Sequence, residues 1–136
     1  MTEVDREIVG IVEEVDIKGK ETVKAMAVFD TGARMTSVDV KLAAKAQLGP
    51  IVKTTKISNP SLKGYVRRPV VEATIRIGGK DFDTMVNIQD REHMSFPVIV
   101  GRDIITGNFI VDTKKNIELH EKALKEKNDR GNQAQV

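Results

Sequence analysis

At 136 residues, with 40% hydrophobic and 31% charged side chains, the chain has the size of one domain and the composition of a folded protein, not of a disordered segment. The 22 basic and 20 acidic groups nearly cancel to a net +2 and no basic block dominates, so neither nucleic acid nor a membrane surface is demanded as a partner. Apolar runs are only a few residues long and cysteine is absent, which excludes a membrane-spanning helix, a disulfide framework, a thiolate metal site and a cysteine nucleophile.

The acidic start Met1-Thr2-Glu3-Val4-Asp5 is not followed by the apolar stretch of a secretory leader, and a cytoplasmic location is expected. Val9 and Ile11, then Val15 and Ile17, alternate with polar or small neighbours, and Lys18-Gly19-Lys20 turns the chain, so a β-hairpin opens the domain. In the run from Thr22 to Phe29, residues Val23, Ala25, Ala27 and Phe29 share one strand face. That strand ends at Asp30-Thr31-Gly32-Ala33, where the glycine permits a sharp turn. Residues 41–48 are rich in Ala, Lys and Leu and predict a short helix stopped by Gly49-Pro50. Residues 51–57 read as a strand, after which Asn59-Pro60 and Gly64 mark irregular backbone ahead of Tyr65 and Arg67-Arg68-Pro69.

The cleanest alternation follows. Val71, Ala73, Ile75 and Ile77 form one face of a strand, Gly78-Gly79 makes a tight turn, and Phe82, Thr84, Val86 and Ile88 return. After a polar loop at 89–95, Phe96-Pro97-Val98-Ile99-Val100-Gly101 is a short buried strand ending in glycine. Residues 103–106 suit one helical turn closed by Gly107, and Phe109-Ile110-Val111 is a last strand. From Lys114 the chain is highly charged, with a helical signal at 118–127 and a tail at 128–136 expected to fray. Residues 1–113 thus make one domain and 114–136 a charged extension. Seven or eight short strands, little helix and no βαβ alternation predict an all-β fold, a small closed barrel. With no Trp and only five Phe and Tyr, its core must be built from Val, Ile, Leu and Met.

Two segments echo each other. Ala27-Val28-Phe29-Asp30-Thr31-Gly32 and Val98-Ile99-Val100-Gly101-Arg102-Asp103 are both apolar strands running into a glycine turn. Either a fold of two related halves or two unrelated strands stopped by glycine accounts for this.

Asp30-Thr31-Gly32-Ala33, with its apolar lead-in, resembles the active-site loop of retropepsin-like aspartic proteases. The segment from Val98 to Ile105 resembles the second signature of that family, about 70 residues further on. Taken with Arg67-Arg68-Pro69-Val70-Val71, the run from His93 to Asp103, and Phe109-Ile110-Val111-Asp112, the chain looks like the RimK-associated branch often labelled "ATP-dependent zinc protease". The resemblance covers residues 8–115. It implies a retropepsin-like barrel and an aspartic endopeptidase in which Asp30 is the catalytic carboxylate. Thr31 would brace the loop against its partner loop, Gly32 would bring a backbone N–H to the carboxylates, and Ala33 would keep the loop compact. Gly101 and Arg102 would pack beneath that loop, and Asp103 is expected in an ion pair with Arg34 or Arg102.

Such chemistry needs one ionised carboxylate to take a proton from water and one protonated carboxyl to polarise the scissile carbonyl. With a single Asp-Thr-Gly, the second must come from another chain, so a homodimer is expected. The substrate would be a peptide or protein, or a peptide-like amide such as a poly-glutamate extension. The resemblance also implies a neighbouring ATP-grasp ligase as a partner. No glycine-rich flap is legible between residues 56 and 69. Arg67 and Arg68 there suit either an acidic peptide or a solvated loop. The alternatives are a non-catalytic peptide-binding module of the same fold and an interaction domain built on another small barrel. His93 and His120 sit in no His-Glu-x-x-His pattern and there is no P-loop, so no metal and no cofactor are expected.

Overall fold

In the computed structural model, which describes residues 5–59, 64–92 and 94–134, the N-terminal alternation yields β1 (Glu7–Gly10) and β2 (Val12–Lys18), then β3 (Thr22–Phe29) across the turn. β2 and β3 pair antiparallel from Val12↔Val28 to Lys18↔Thr22. The expected hairpin is therefore β2–β3, while the segment holding Val9 leaves it as β1. After the Asp30 loop come β4 (Ser37–Asp39) and the helix α1 (Val40–Ala46). Asp39 caps that helix, its Oδ2 accepting from the N–H groups of Lys41 (3.0 Å) and Leu42 (3.4 Å). The remaining elements are β5 (Ile51–Asn59), β6 (Gly64–Ile77), β7 (Lys80–Gln89), β8 (Val98–Val100), α2 (Arg102–Ile105), β9 (Phe109–Asp112) and α3 (Ile117–Ala134).

The large sheet runs in the order β2-β3-β8-β4-β7-β6-β5, and β6 returns to pair with β2 from Asp16↔Arg76 to Lys18↔Thr74. Six strands therefore close into a barrel, and β5 hangs from β6 outside the closure. The all-β prediction holds, with nine strands among the described residues instead of the seven or eight expected, because β1 and β4 are too short to show a pattern of their own. Val15, Ile17, Ala27, Val38, Val71, Ile75, Ile77, Val86, Val98 and Val100 fill the barrel and are almost wholly buried. Among the described residues, no methionine is a buried core side chain, so the core is more β-branched than composition suggested.

The two echoing segments are neighbours. β3 and β8 pair in parallel at Ala27↔Val98, Val28↔Ile99 and Phe29↔Val100, so their two glycine turns leave the same end of the barrel. The C-terminal extension is helical to Ala134, further than the expected 118–127. No proline interrupts it, and a helix already nucleated propagates at little cost per residue. It is fastened near its start, where Asn116 Nδ2 donates to the Val12 carbonyl at 2.8 Å and the His120 ring stacks on Phe96 at 5.6 Å. Among the described residues, no helix is long and apolar enough to cross a membrane.

Candidate active site

The end of β3 fixes where the Asp30 loop begins. The Asp30 N–H donates to the Val100 carbonyl at 2.9 Å, and the Ala33 N–H returns to the Asp30 carbonyl at 3.1 Å, closing a tight turn. Asp30, Thr31 and Gly32 are all exposed. The Gly32 N–H donates to Asp30 Oδ1 at 2.8 Å, which fixes one carboxylate oxygen toward the loop. A Cβ on residue 32 would stand 3.1 Å from that same oxygen, tight enough that the carboxylate would have to shift slightly.

The second glycine turn lies directly beneath. A Cβ on Gly101 would meet the Ala33 and Met35 carbonyl oxygens at 2.8 Å. The Arg102 N–H donates to the Ala33 carbonyl at 2.8 Å, and its guanidinium donates to the Thr31 carbonyl at 3.0 Å. Asp103 does not form the ion pair with Arg34 or Arg102 expected from sequence. Its Oδ1 accepts from Thr36 Oγ1 at 2.7 Å, and its Oδ2 accepts from the Thr36 N–H at 2.9 Å and from Thr84 Oγ1 at 3.4 Å. Arg102 has turned to Thr31, and the loop geometry brings a buried hydroxyl to Asp103 instead. Thr36 is fully buried, and its hydroxyl also accepts from the Gly101 N–H at 3.2 Å. Thr36 thus joins the two turns, and sequence reasoning missed it. Nothing local marks a threonine as the partner of a carboxylate 67 residues away.

A cleft of about 370 Å³ opens beside this loop, lined by its residues Ala33, Arg34 and Met35 on one side and by Thr55, Ile57 and Arg68 on the other. The far side is a hairpin. β5 and β6 pair from Ile51↔Val71 out to Asn59↔Gly64, so a hairpin does stand where none was legible. Pro60, expected in irregular backbone, lies outside the described residues, as does His93. Strand alternation separates the two arginines: Arg68 is half-buried on the cleft, and burial lowers its pKa. Arg67 is exposed, with a long contact of 3.4 Å to Thr54 Oγ1. Ser37 and Asn87 also line the cleft, bonded to each other at 2.8 Å.

Arg91 is the second residue that sequence reasoning missed, hidden in a loop read only as polar. It is 7% exposed. Its Nε donates to the Phe96 carbonyl at 2.9 Å, and its N–H donates to Asp39 Oδ1 at 2.8 Å. Burial lowers its pKa most, the Arg68 charge lowers it further, and Asp39 and Asp30 act the other way. Among the described residues, no three His, Cys, Asp or Glu side chains gather as a metal site.

The sequence model of the RimB-like family, described as the retropepsin-like aspartic endopeptidase RimB, matches residues 37–122. That span takes in Arg67, Arg68, Gly101, Arg102 and Asp103 and begins just after the Asp30 loop. No curated protein matches. Among solved structures, Lpg0085 of Legionella pneumophila, a protein of unknown function, is 25% identical over 81% of this chain and 95% of its own, with a TM-score of 0.57. The EIAV protease in complex with the inhibitor HBY-793 is 22% identical over 74% of this chain and 91% of its own, at a TM-score of 0.59. The simian foamy virus (mac) protease is 20% identical over 68% of this chain and 88% of its own, at a TM-score of 0.51. The barrel is therefore a retropepsin-like fold.

Proposed function

The chain belongs to the RimB-like family of retropepsin-like aspartic endopeptidases, and we propose that it hydrolyses peptide or peptide-like amide bonds with a carboxylate dyad assembled from Asp30 of two identical subunits. The observation that carries this reading is the exposed Asp30 carboxylate, held by the Gly32 N–H at 2.8 Å beside a cleft with a hairpin across it. One such group alone cannot serve as both acid and base. Two of them face to face across a two-fold axis share one proton, so one carboxylate takes a proton from water while the other donates to the substrate carbonyl.

The supporting residues divide the remaining work. Gly32 restrains Asp30 Oδ1, Thr31 braces the loop against its symmetry mate, and Ala33 leaves room for the substrate backbone. Gly101, Arg102 and Asp103 hold the loop from below. Arg68, half-buried on the cleft, favours a substrate carrying a carboxylate near the scissile bond, such as an acidic peptide or a poly-glutamate extension. Arg67 is on the outer side and takes no part.

The test is cleavage of acidic and neutral peptides across the acid to neutral range by the wild-type protein and by Asp30→Asn. Cleavage should fall by about 10²–10⁴-fold in the variant, with the sedimentation profile unchanged. Wild-type-like turnover by Asp30→Asn refutes the mechanism. Binding without cleavage by the wild type points instead to the non-catalytic peptide-binding module.

A further inference from the structure

The near-zero net charge hides a division along the chain. Between Asp39 and Glu72 there is no acidic residue and there are seven Lys and Arg, so this stretch carries +7 and the rest of the chain −5 against the total of +2. Five of the seven, Lys53, Lys56, Lys63, Arg67 and Arg68, fall within residues 51–71, the span of the hairpin over the cleft. β5 pairs with β6 alone. β6 meets β7 only from Val70 onward and β2 only from Thr74 onward. Residues 54–59 and 64–69 therefore project beyond the barrel, paired only with each other, over about 20 Å.

Strand alternation gives this hairpin two faces. Thr55, Ile57 and Arg68 are half-buried on the cleft, while Thr54, Lys56, Tyr65 and Arg67 are exposed. Lys56 and Arg67 are register partners, so two like charges stand directly opposite each other, which destabilises a strand pair. The Lys56 ammonium lies 5.5 Å from the centre of the Tyr65 ring, and Tyr65 is 71% exposed. Elsewhere on the strands, Lys18, Lys24, Arg76 and Lys80 each reach a carboxylate at 3.0–3.6 Å. Among the described residues, Lys53, Lys56 and Arg67 take part in none of the ion pairs. Charged side chains do guard free strand edges, but a guard needs no large exposed ring beside it, and guards of both signs avoid the repulsion.

We propose that the outer face of this hairpin binds single-stranded RNA, with a phosphate between Lys56 and Arg67 and an unstacked base laid on the Tyr65 ring. A phosphate at that point turns the repulsion of the two cations into two charge-assisted contacts. The exposed ring decides between polyanions. A peptide rich in Asp and Glu brings negative charge but no flat surface to stack, whereas every base has one. A duplex keeps its base faces covered, so the strand must be single. Thr54 is exposed on the same face, and its Oγ1 accepts from Arg67 at 3.4 Å. Its own hydroxyl proton is left to meet a ribose 2′-OH, which DNA lacks. The hairpin then serves two ligands, peptide on the inner face and RNA on the outer, and the RNA face does not rest on the dyad reading.

The probe is a fluorescein-labelled, non-self-complementary RNA of about 12 nucleotides, titrated with the full chain and followed by anisotropy between about 50 and 200 mM KCl. With about three phosphates neutralised, the logarithm of affinity should fall against the logarithm of salt with a slope of about −2, and Arg67→Gln should make that slope shallower by about 0.7. Tyr65→Ala should weaken binding about 5–100-fold, while Tyr65→Phe keeps the ring and binds like wild type. Single-stranded DNA and duplex RNA should both bind more weakly than the probe. Lys56 also borders the cleft and is left unchanged. Tyr65 and Arg67 are exposed, so each variant should melt with wild type and cleave peptides as wild type does.

No binding of the probe at about 50 mM KCl overturns the proposal, as does a Tyr65→Ala protein that binds as tightly as wild type. DNA held as tightly as RNA overturns the choice of RNA. A poly-glutamate peptide of equal charge that displaces the probe, and whose own binding falls with Arg67→Gln, makes an acidic protein the occupant and overturns it too. Binding is read without cleavage. A protein that holds RNA through Tyr65 and hydrolyses no peptide leaves this inference standing, and one that cleaves peptide and ignores RNA overturns this inference alone.

Discussion

Thr36→Val changes almost nothing in shape and should nonetheless unfold the protein at a distinctly lower temperature. The wild-type hydroxyl is fully buried, donates to Asp103 Oδ1 at 2.7 Å and accepts from the Gly101 N–H at 3.2 Å. A hydrogen bond to a charged group contributes about 1.5–3 kcal/mol, and an unpartnered buried N–H costs about 1–3 kcal/mol. The Thr36 N–H bond to Asp103 survives in the variant, so the net loss is about 2–4 kcal/mol. An unfolding entropy of about 2.1 cal/mol/K per residue converts each kcal/mol into roughly 3.5 °C for a chain of this size. Thr36→Val should therefore melt roughly 7–14 °C below wild type. Thr36→Ser keeps both hydrogen bonds, loses one methyl group worth about 1 kcal/mol, and should melt only about 3–4 °C lower. Calorimetry of the three proteins at one neutral pH is the assay. A Thr36→Val protein melting within about 2 °C of wild type, or a serine variant less stable than the valine one, refutes the claim that this hydroxyl fastens the two turns.

The two glycines beside Asp30 should respond differently. Gly101→Ala forces a Cβ to 2.8 Å from the Ala33 and Met35 carbonyl oxygens, costing about 1–3 kcal/mol and lowering the melting temperature by roughly 4–10 °C. Gly32→Ala meets only the Asp30 carboxylate, on an exposed loop; melting should hold while kcat falls about 10–100-fold from a displaced carboxylate. Asp81 has its pKa lowered by its hydrogen bonds to Lys18 and then Arg76. A depressed folded-state pKa stabilises above the ordinary carboxylate range and is lost as pH falls through it. The stability gap between wild type and Asp81→Asn, followed by denaturant titration, should therefore be present at neutral pH and vanish on acidification. Arg68→Ala should raise KM for an acidic peptide about 10–100-fold and leave a neutral peptide unchanged, while Arg67→Ala changes neither.

The parts of this fold legible in sequence were those written over a few adjacent residues. The β6–β7 hairpin was plain because Gly78-Gly79 separates two alternating runs, and the Asp30 turn was plain because its chemistry is compressed into four residues. β4 was not, since three residues carry no period, and it is a strand only because β7 and β8 flank it. Nor was the hairpin over the cleft. Pro69 argues against a strand interior, yet it lies within β6, opposite Thr54 and one residue before the β6–β7 ladder starts at Val70↔Asn87. At that point β5 alone pairs with β6, so a missing N–H is tolerated.

The same contrast runs through the site. A group that touches the reacting atoms is restricted to a few residue types in a tight turn, so it leaves a local signature. A group that holds the turn in place need only offer a donor or acceptor at the right point in space, and almost any polar residue serves. Asp103 beside Arg102 reads as half of an ion pair, and the neighbour in sequence is the natural guess. The structure instead gives Asp103 a hydroxyl and an N–H from Thr36, because the parallel pairing of β3 with β8 sets the two turns one above the other. Arg91 reads as a solvated loop residue and is buried, because its loop folds back onto the Asp39 cap of α1. In both cases the deciding contact is made by strands far apart in the chain, and strand order is the information that a single sequence does not carry.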